Sequence, residues 1–253
     1  QNGALTLARL EAGGAATLDA TGAIGLASAT STAGFFSARS HGAGITAGTI
    51  AAATTASLIA GGPIAITTAL TAGEAANVTT TAGTITIASL TAGASSTLSA
   101  SGTVALGEAT TAAGDLTVTS TGADLALADL DSAGKLTLTA ATSITATGAL
   151  LAGEAMQITA QNGTLTLASL SAGEVTSLEA KGLISLTSAT TTAGSFSAVS
   201  RGAGITAGTV AAATSATLNA AGPITVTNGL TAGRAANIAT SAGFLNLVSL
   251  RAG

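Results

Sequence analysis

The residues able to do chemistry are few. The densest acidic group is Asp124, Asp129 and Asp131, with Asp115 upstream. Paired carboxylates on one face are what glycosidic-bond cleavage requires. Asp129 and Asp131 flank Leu130, so on a strand with Leu130 inward both point outward. A solvated acidic patch is the expectation, with weak calcium binding as the other reading. His41 is the only histidine, and its place in the later copy of the same stretch is taken by Arg201. A position that accepts arginine is a poor acid–base or metal-ligand candidate, so His41 is expected on the surface. There is no cysteine, which excludes disulfides and thiolate metal sites. The segment Gly42-Ala-Gly-Ile-Thr-Ala-Gly48 reads as turn chemistry because no helix follows it, and no Gly-Gly-x-Gly-x-Asp calcium repeat occurs. No catalytic, cofactor or metal site is expected, and the chain does not read as an enzyme.

Charge sets further bounds. Seven Lys and Arg against eleven Asp and Glu give a net charge of -4. The basic residues Arg9, Arg39, Lys135, Lys181, Arg201, Arg234 and Arg251 are scattered, which argues against nucleic acid as a partner. No apolar run is long enough for a membrane-spanning helix. The segment Gln1-Asn2-Gly3 has none of the regions of a signal peptide, so any export signal is expected outside this sequence.

Something must position these residues, and the composition rules out an aromatic core. Four Phe, one Met, no Trp or Tyr and 33 Gly leave a core of small aliphatic groups. Self-comparison then reveals the organisation. One apolar series recurs at a fixed step of twenty positions, from Leu10 through Thr30, Ile50, Leu70, Leu90, Thr110, Leu130, Leu150, Leu170, Thr190, Val210 and Leu230 to Leu250. A second runs Leu18, Ala38, Leu58, Val78, Leu98, Val118, Leu138, Ile158, Leu178, Ala198, Leu218, Ile238. Ala-Gly pairs such as Ala72-Gly73 and Ala172-Gly173 lie between them and predict turns with glycine at positive φ. A third feature, the pair exemplified by Leu5/Leu7, Ile24/Leu26, Ile64/Ile66 and Ile85/Ile87, advances alternately by nineteen and twenty-one positions. A pair of coils is therefore the physical unit, and alternate coils are expected to carry a bulge or a different turn. Residues 161–253 repeat residues 1–93 at roughly three positions in five, so eight coils form a block of roughly 160 residues.

Strand is favoured over helix because Leu-Thr-Leu and Ile-Thr-Ile alternate with period two and glycine recurs about every ten residues. The prediction is an all-β parallel β-solenoid of about 20 residues per coil and 12–13 coils, with about three short strands in each. Stacking at about 4.8 Å would give a rod on the order of 60 Å long. Residues 1–253 are expected to form one continuous segment: 1–160 is the first block, 161–253 the start of a second, with neither linker nor polar cap. Continuation of the same array end to end is expected. Thr30, Thr110 and Thr190 are expected in the apolar ladder, and Phe36 and Phe196 as core plugs beside Ala38 and Ala198. Asp19/Arg39 and Asp115/Lys135 should stack as surface ion pairs, Glu154/Glu174 and Lys181/Arg201 as like-charge neighbours.

Gly114-Asp-Leu-Thr-Val-Thr-Ser-Thr-Gly122, Gly134-Lys-Leu-Thr-Leu-Thr-Ala140 and Ala168-Ser-Leu-Ser-Ala-Gly173 resemble the repeats of filamentous-haemagglutinin-type exoproteins, the giant bacterial adhesins. The resemblance covers the whole chain through composition and period. It implies a right-handed parallel β-helix, exported by a Gram-negative-type bacterium and displayed at the cell surface as a fibre. The functional expectation is a structural stalk serving adhesion, cell–cell contact or sheath assembly, with lateral self-association favoured by sparse charge. Two alternatives remain: an ice-binding β-solenoid using the Thr117/Thr119 and Thr137/Thr139 ladder, and a polysaccharide-active β-helix enzyme using Asp124, Asp129 and Asp131.

Overall fold

The computed structural model describes residues 3–253. They form an all-β parallel solenoid with no helix among the described residues. The chain divides into two compact units, Gln1–Leu127 and Ala128–Gly253.

Through Thr240 each unit repeats the same coil, one long strand of eight or nine residues, a turn, one short strand of five or six, and a second turn; two three-residue strands, Leu245–Leu247 and Leu250–Ala252, follow. In the first unit the long strands Leu5–Ala12, Ile24–Ser31, Ile45–Ala52, Ile64–Ala72, Ile85–Ala92 and Val104–Thr111 pair in that order, all parallel. In the second, Ile144–Ala152, Leu165–Ala172, Ile184–Thr191, Ile205–Ala212 and Ile224–Ala232 do the same. Short strands such as Ala56–Ala60 and Ala76–Thr80 build the opposing sheet. Each coil thus holds two strands rather than three. The two apolar clusters assigned to separate strands share one long strand, which faces inward at its first, third, sixth and eighth residues, as in Ile24, Leu26, Ala29 and Ser31. Two consecutive outward residues, Ala27 and Ser28, swap the inward side and take the place of a turn.

The short-strand ladder keeps one constant step throughout. Leu58 pairs with Val78 and Val78 with Leu98, and in the second unit Ile158, Leu178, Ala198 and Leu218 follow in register. The long strands alternate. Ile24 pairs with Leu5, a step of nineteen, and Ile45 pairs with Ile24, a step of twenty-one. The cause is the turn after the short strand, which has three residues at 21–23 and 61–63 but four at 41–44 and 81–84. Coils entered through the shorter turn regain the residue later, in one of two ways. Ile64–Ala72, Ile144–Ala152 and Ile224–Ala232 are nine-residue strands with a register shift, whereas after Ser31, Thr111 and Thr191 the turn to the next short strand lengthens to four. Both expected devices occur, at alternate opportunities.

This alternation moves three threonines. Leu10 pairs with Ala29, Leu90 with Ala109 and Leu170 with Ala189, so Ala29, Ala109 and Ala189 fill the ladder. Thr30 is half-buried, and Thr110 and Thr190 face outward. Counting by twenty misplaced them because the local step there is nineteen.

The turn length has a chemical marker. Ser40, Thr80, Ser120 and Ser200 are buried at the ends of short strands that precede four-residue turns. Each hydroxyl donates to a glycine carbonyl in the three-residue turn one coil earlier: Gly22 at 2.8 Å, Gly62 at 2.6 Å, Gly102 at 2.8 Å and Gly182 at 2.7 Å. Short strands before three-residue turns end in Ala20, Ala60, Ala100, Ala140, Ala180 and Ala220. A buried carbonyl needs a donor, and the hydroxyl supplies it where the longer turn leaves one coil out of step. Ala160 departs from the pattern: it precedes the four-residue turn 161–164 without a hydroxyl, and the turn one coil earlier holds Thr142 where its counterparts hold glycine.

Phe36 and Phe196 are the largest fully buried side chains, stacked beside the alanines at 16 and 56 and beside Thr176 and Ala216 respectively. The small residues on either side of each Phe leave room for its ring.

The Ala-Gly turns differ from expectation. Positive φ occurs among the described residues only at Gly3, Gly114 and Gly243, none of them in the predicted set. Glycine is needed there for contact: a Cβ on Gly173 would collide with the Gly153 carbonyl oxygen, and one on Gly73 with that of Ala53. Backbone of one coil rests directly on backbone of the next.

Candidate functional site

The groups that could act on a ligand are spread over the outward faces of both sheets and the turns between them. Asp129 and Asp131 lie on one strand, exposed, on either side of buried Leu130, as their spacing predicts. Asp129 Oδ1 accepts the Ala149 N–H at 2.7 Å, so this carboxylate supports the next coil's bulged strand. Asp124 is exposed in the turn 121–124, where its carbonyl accepts the Val104 N–H at 3.2 Å. The Asp115 N–H donates to Ser95 Oγ at 3.0 Å. No group of three or more His, Asp or Glu with metal-holding geometry occurs among the described residues.

His41 is exposed, with Nε2 2.9 Å from Asp19 Oδ1. Arg39, the partner expected for Asp19, is its register neighbour in the sheet, and Asp19 also meets His41. The equivalent site in the second block holds Arg201, whose Nε and Nη2 lie 2.7 Å and 2.6 Å from Glu179 Oε1. Acid and base have both changed type while the contact, at the same separation along the chain, persists. Arg9 and Glu11 also form an exposed pair. Such pairs contribute little, on the order of 0–1 kcal/mol.

Two recesses at this corner are also equivalent. One of about 100 Å³ lies among Arg39, His41, Ile59, Gly61 and Thr81, the other of about 330 Å³ among Val199, Arg201, Asn219, Ala221 and Ser241. Each exists because Gly61 or Ala221 leaves a gap between larger side chains at the same corner of the coils before and after. Both are open to solvent and hold no pair of acids in position for acid–base work.

No family model matches this chain, and no match is found among curated proteins or solved structures.

Two pairs of like-charge neighbours lie where the coil period puts them. The Glu174 N–H donates to the Glu154 carbonyl at 3.1 Å, stacking one exposed glutamate on another. Lys181 and Arg201 occupy the opposite corner, immediately after the short strands Thr176–Ala180 and Phe196–Ser200. The Thr face keeps register over Thr97/Ser99 and Thr117/Thr119 in the first unit, but the same columns hold Asp19, Arg39 and Ile59 in earlier coils. Sequence reasoning missed the contact of Asp19 with His41, although the joint change of Asp19 and His41 to Glu179 and Arg201 is visible in the block comparison.

Proposed function

We propose that this chain is a structural segment of a large, repetitive bacterial surface protein, a spacer that serves adhesion, cell–cell contact or sheath assembly. The observation that carries the reading is the uniformity of the coils. Turns of two to four residues recur without insertion, and the outward positions are mainly Ser, Thr and Ala. Binding and catalytic residues fall disproportionately on loops held out by a rigid scaffold; among the described residues these coils contain no loop beyond four residues. Glycine contacts and buried hydroxyls instead commit the sequence to coil-to-coil stacking, as a spacer requires.

The test is immunolabelling of the producing cells with antibodies raised against this chain, combined with electron microscopy of shed material. Label on intact cells and on extended fibres is the expected result. Label that appears only after permeabilisation would overturn the proposal.

A further inference from the structure

The second unit carries two like-charge stacks on opposite borders of the short-strand sheet. Glu154 and Glu174 precede the short strands Met156–Ala160 and Thr176–Ala180 by two residues, and Lys181 and Arg201 follow Thr176–Ala180 and Phe196–Ser200 by one. All four are exposed. Each stack has one residue per coil, so both share the strand spacing of about 4.8 Å. Stacking equal charges is unfavourable within the molecule unless solvent or a partner compensates. Arg201 meets Glu179 through Nε and Nη2, and its planar guanidinium has further donors.

From this complementarity we infer that the second unit docks side by side on a second copy of the same chain, the Glu154/Glu174 corner of one copy against the Lys181/Arg201 corner of its neighbour. The geometry also selects the stagger. The coil that begins with Glu154 ends at Gln161, the next runs from Glu174 to Lys181, and the one after ends at Arg201. Level copies would match only Glu174 with Lys181. A shift of one coil matches Glu154 with Lys181 and Glu174 with Arg201 at once, and sets Lys135 against neutral Gln161 and Arg234 beyond the basic stack. The contact is heterologous, so it propagates copy after copy along the strand direction. The short-strand faces between corners, bearing Gln157, Thr159, Ser177, Glu179, Ser197 and Val199, then line up edge to edge.

This deepens the fibre reading by naming how neighbouring fibres engage, yet the two stand or fall separately: label confined to permeabilised cells would end the surface role and leave this contact untouched. The test is sedimentation velocity of the purified chain over a concentration series at about 10 mM and about 1 M salt, where the screening length falls from about 30 Å to about 3 Å. The wild type should grow in weight-average mass with concentration at low salt and revert to monomer at high salt. E154K/E174K and K181E/R201E should each remain monomeric, since both corners then carry one sign. Their equimolar mixture should associate again, because each variant offers the corner the other lacks, and this recovery also shows that both are folded. Wild type monomeric throughout the low-salt series, association insensitive to salt, variants that associate as the wild type does, or a mixture that fails to recover would each overturn the inference.

Discussion

Thr176 offers a substitution whose expected sign runs against the usual one. Its side chain is 1% exposed, it stands in register between Met156 and Phe196, and its Oγ1 has no hydrogen-bond partner. An unsatisfied buried hydroxyl costs about 1–3 kcal/mol. Thr176→Val replaces it with a methyl of similar shape among apolar neighbours, so we expect stabilisation of about 1–2 kcal/mol. Most substitutions destabilise, by about 1 kcal/mol on average, which makes the direction diagnostic. Thr191→Val is the matched control in the same unit, because Thr191 is buried to 3% exposure and its Oγ1 donates to the Gly194 carbonyl at 2.9 Å. That change removes one of two donors to this carbonyl, the Thr214 N–H at 3.1 Å remaining, and is expected to cost about 0.5–1.5 kcal/mol. Repeat arrays depart from two-state unfolding, so native-state hydrogen exchange at the amides of Met156–Ala160, Thr176–Ala180 and Phe196–Ser200 is the suitable readout. A gain of about 1–2 kcal/mol slows exchange about 5- to 30-fold. Exchange in Thr176→Val as fast as in the wild type, or faster, would refute the argument by showing that the hydroxyl is satisfied in solution.

Three further outcomes are expected. Gly173→Ala should destabilise its coil by more than about 1 kcal/mol because the new Cβ meets the Gly153 carbonyl, whereas Gly13→Ala, with nothing within 4 Å, should be neutral or stabilising by about 0.4–1 kcal/mol; urea midpoints compare them. Phe196→Ala should cost about 3–5 kcal/mol, since neighbouring Ala216 and Thr176 are too small to fill the void, while Phe35→Ala, at a position 44% exposed, should shift a thermal melt little. Asp129→Asn with Asp131→Asn should melt as the wild type does, with and without millimolar calcium, because the amide side chain keeps an oxygen to accept the Ala149 N–H and no third acid closes a cage among the described residues.

Much of the architecture was readable because apolar residues report their own register. The series through Leu58, Val78 and Leu98 needed only counting, and the alternating step of Ile24, Ile45 and Ile64 is visible in the order of residues alone. Thr30, Thr110 and Thr190 were misplaced because two opposite deviations of one residue cancel over a coil pair, leaving an average that fits no individual coil. A signal that resolves it was present: Ser or Thr instead of Ala at positions 40, 80, 120 and 200 marks the longer turns, Ala160 being the exception. Glycine was read as a conformational residue when its role is contact, a distinction that requires knowing what lies one coil away. At the surface, the exchange of Asp19 and His41 for Glu179 and Arg201 preserves a contact that pairing by register alone does not reveal.

The hydroxyl-to-glycine bonds restrict how such a chain can grow. A gene that gained or lost twenty codons would bring two longer turns, or two shorter ones, into succession, leaving one donor facing a wrong-length neighbour and the adjoining strand one residue out of phase. Gains or losses of forty keep the alternation of turns intact, and multiples of eighty also restore the sequence of strand bulges. Length variation by recombination is thereby quantised, and variants of this array differing by an odd number of coils should be selected against.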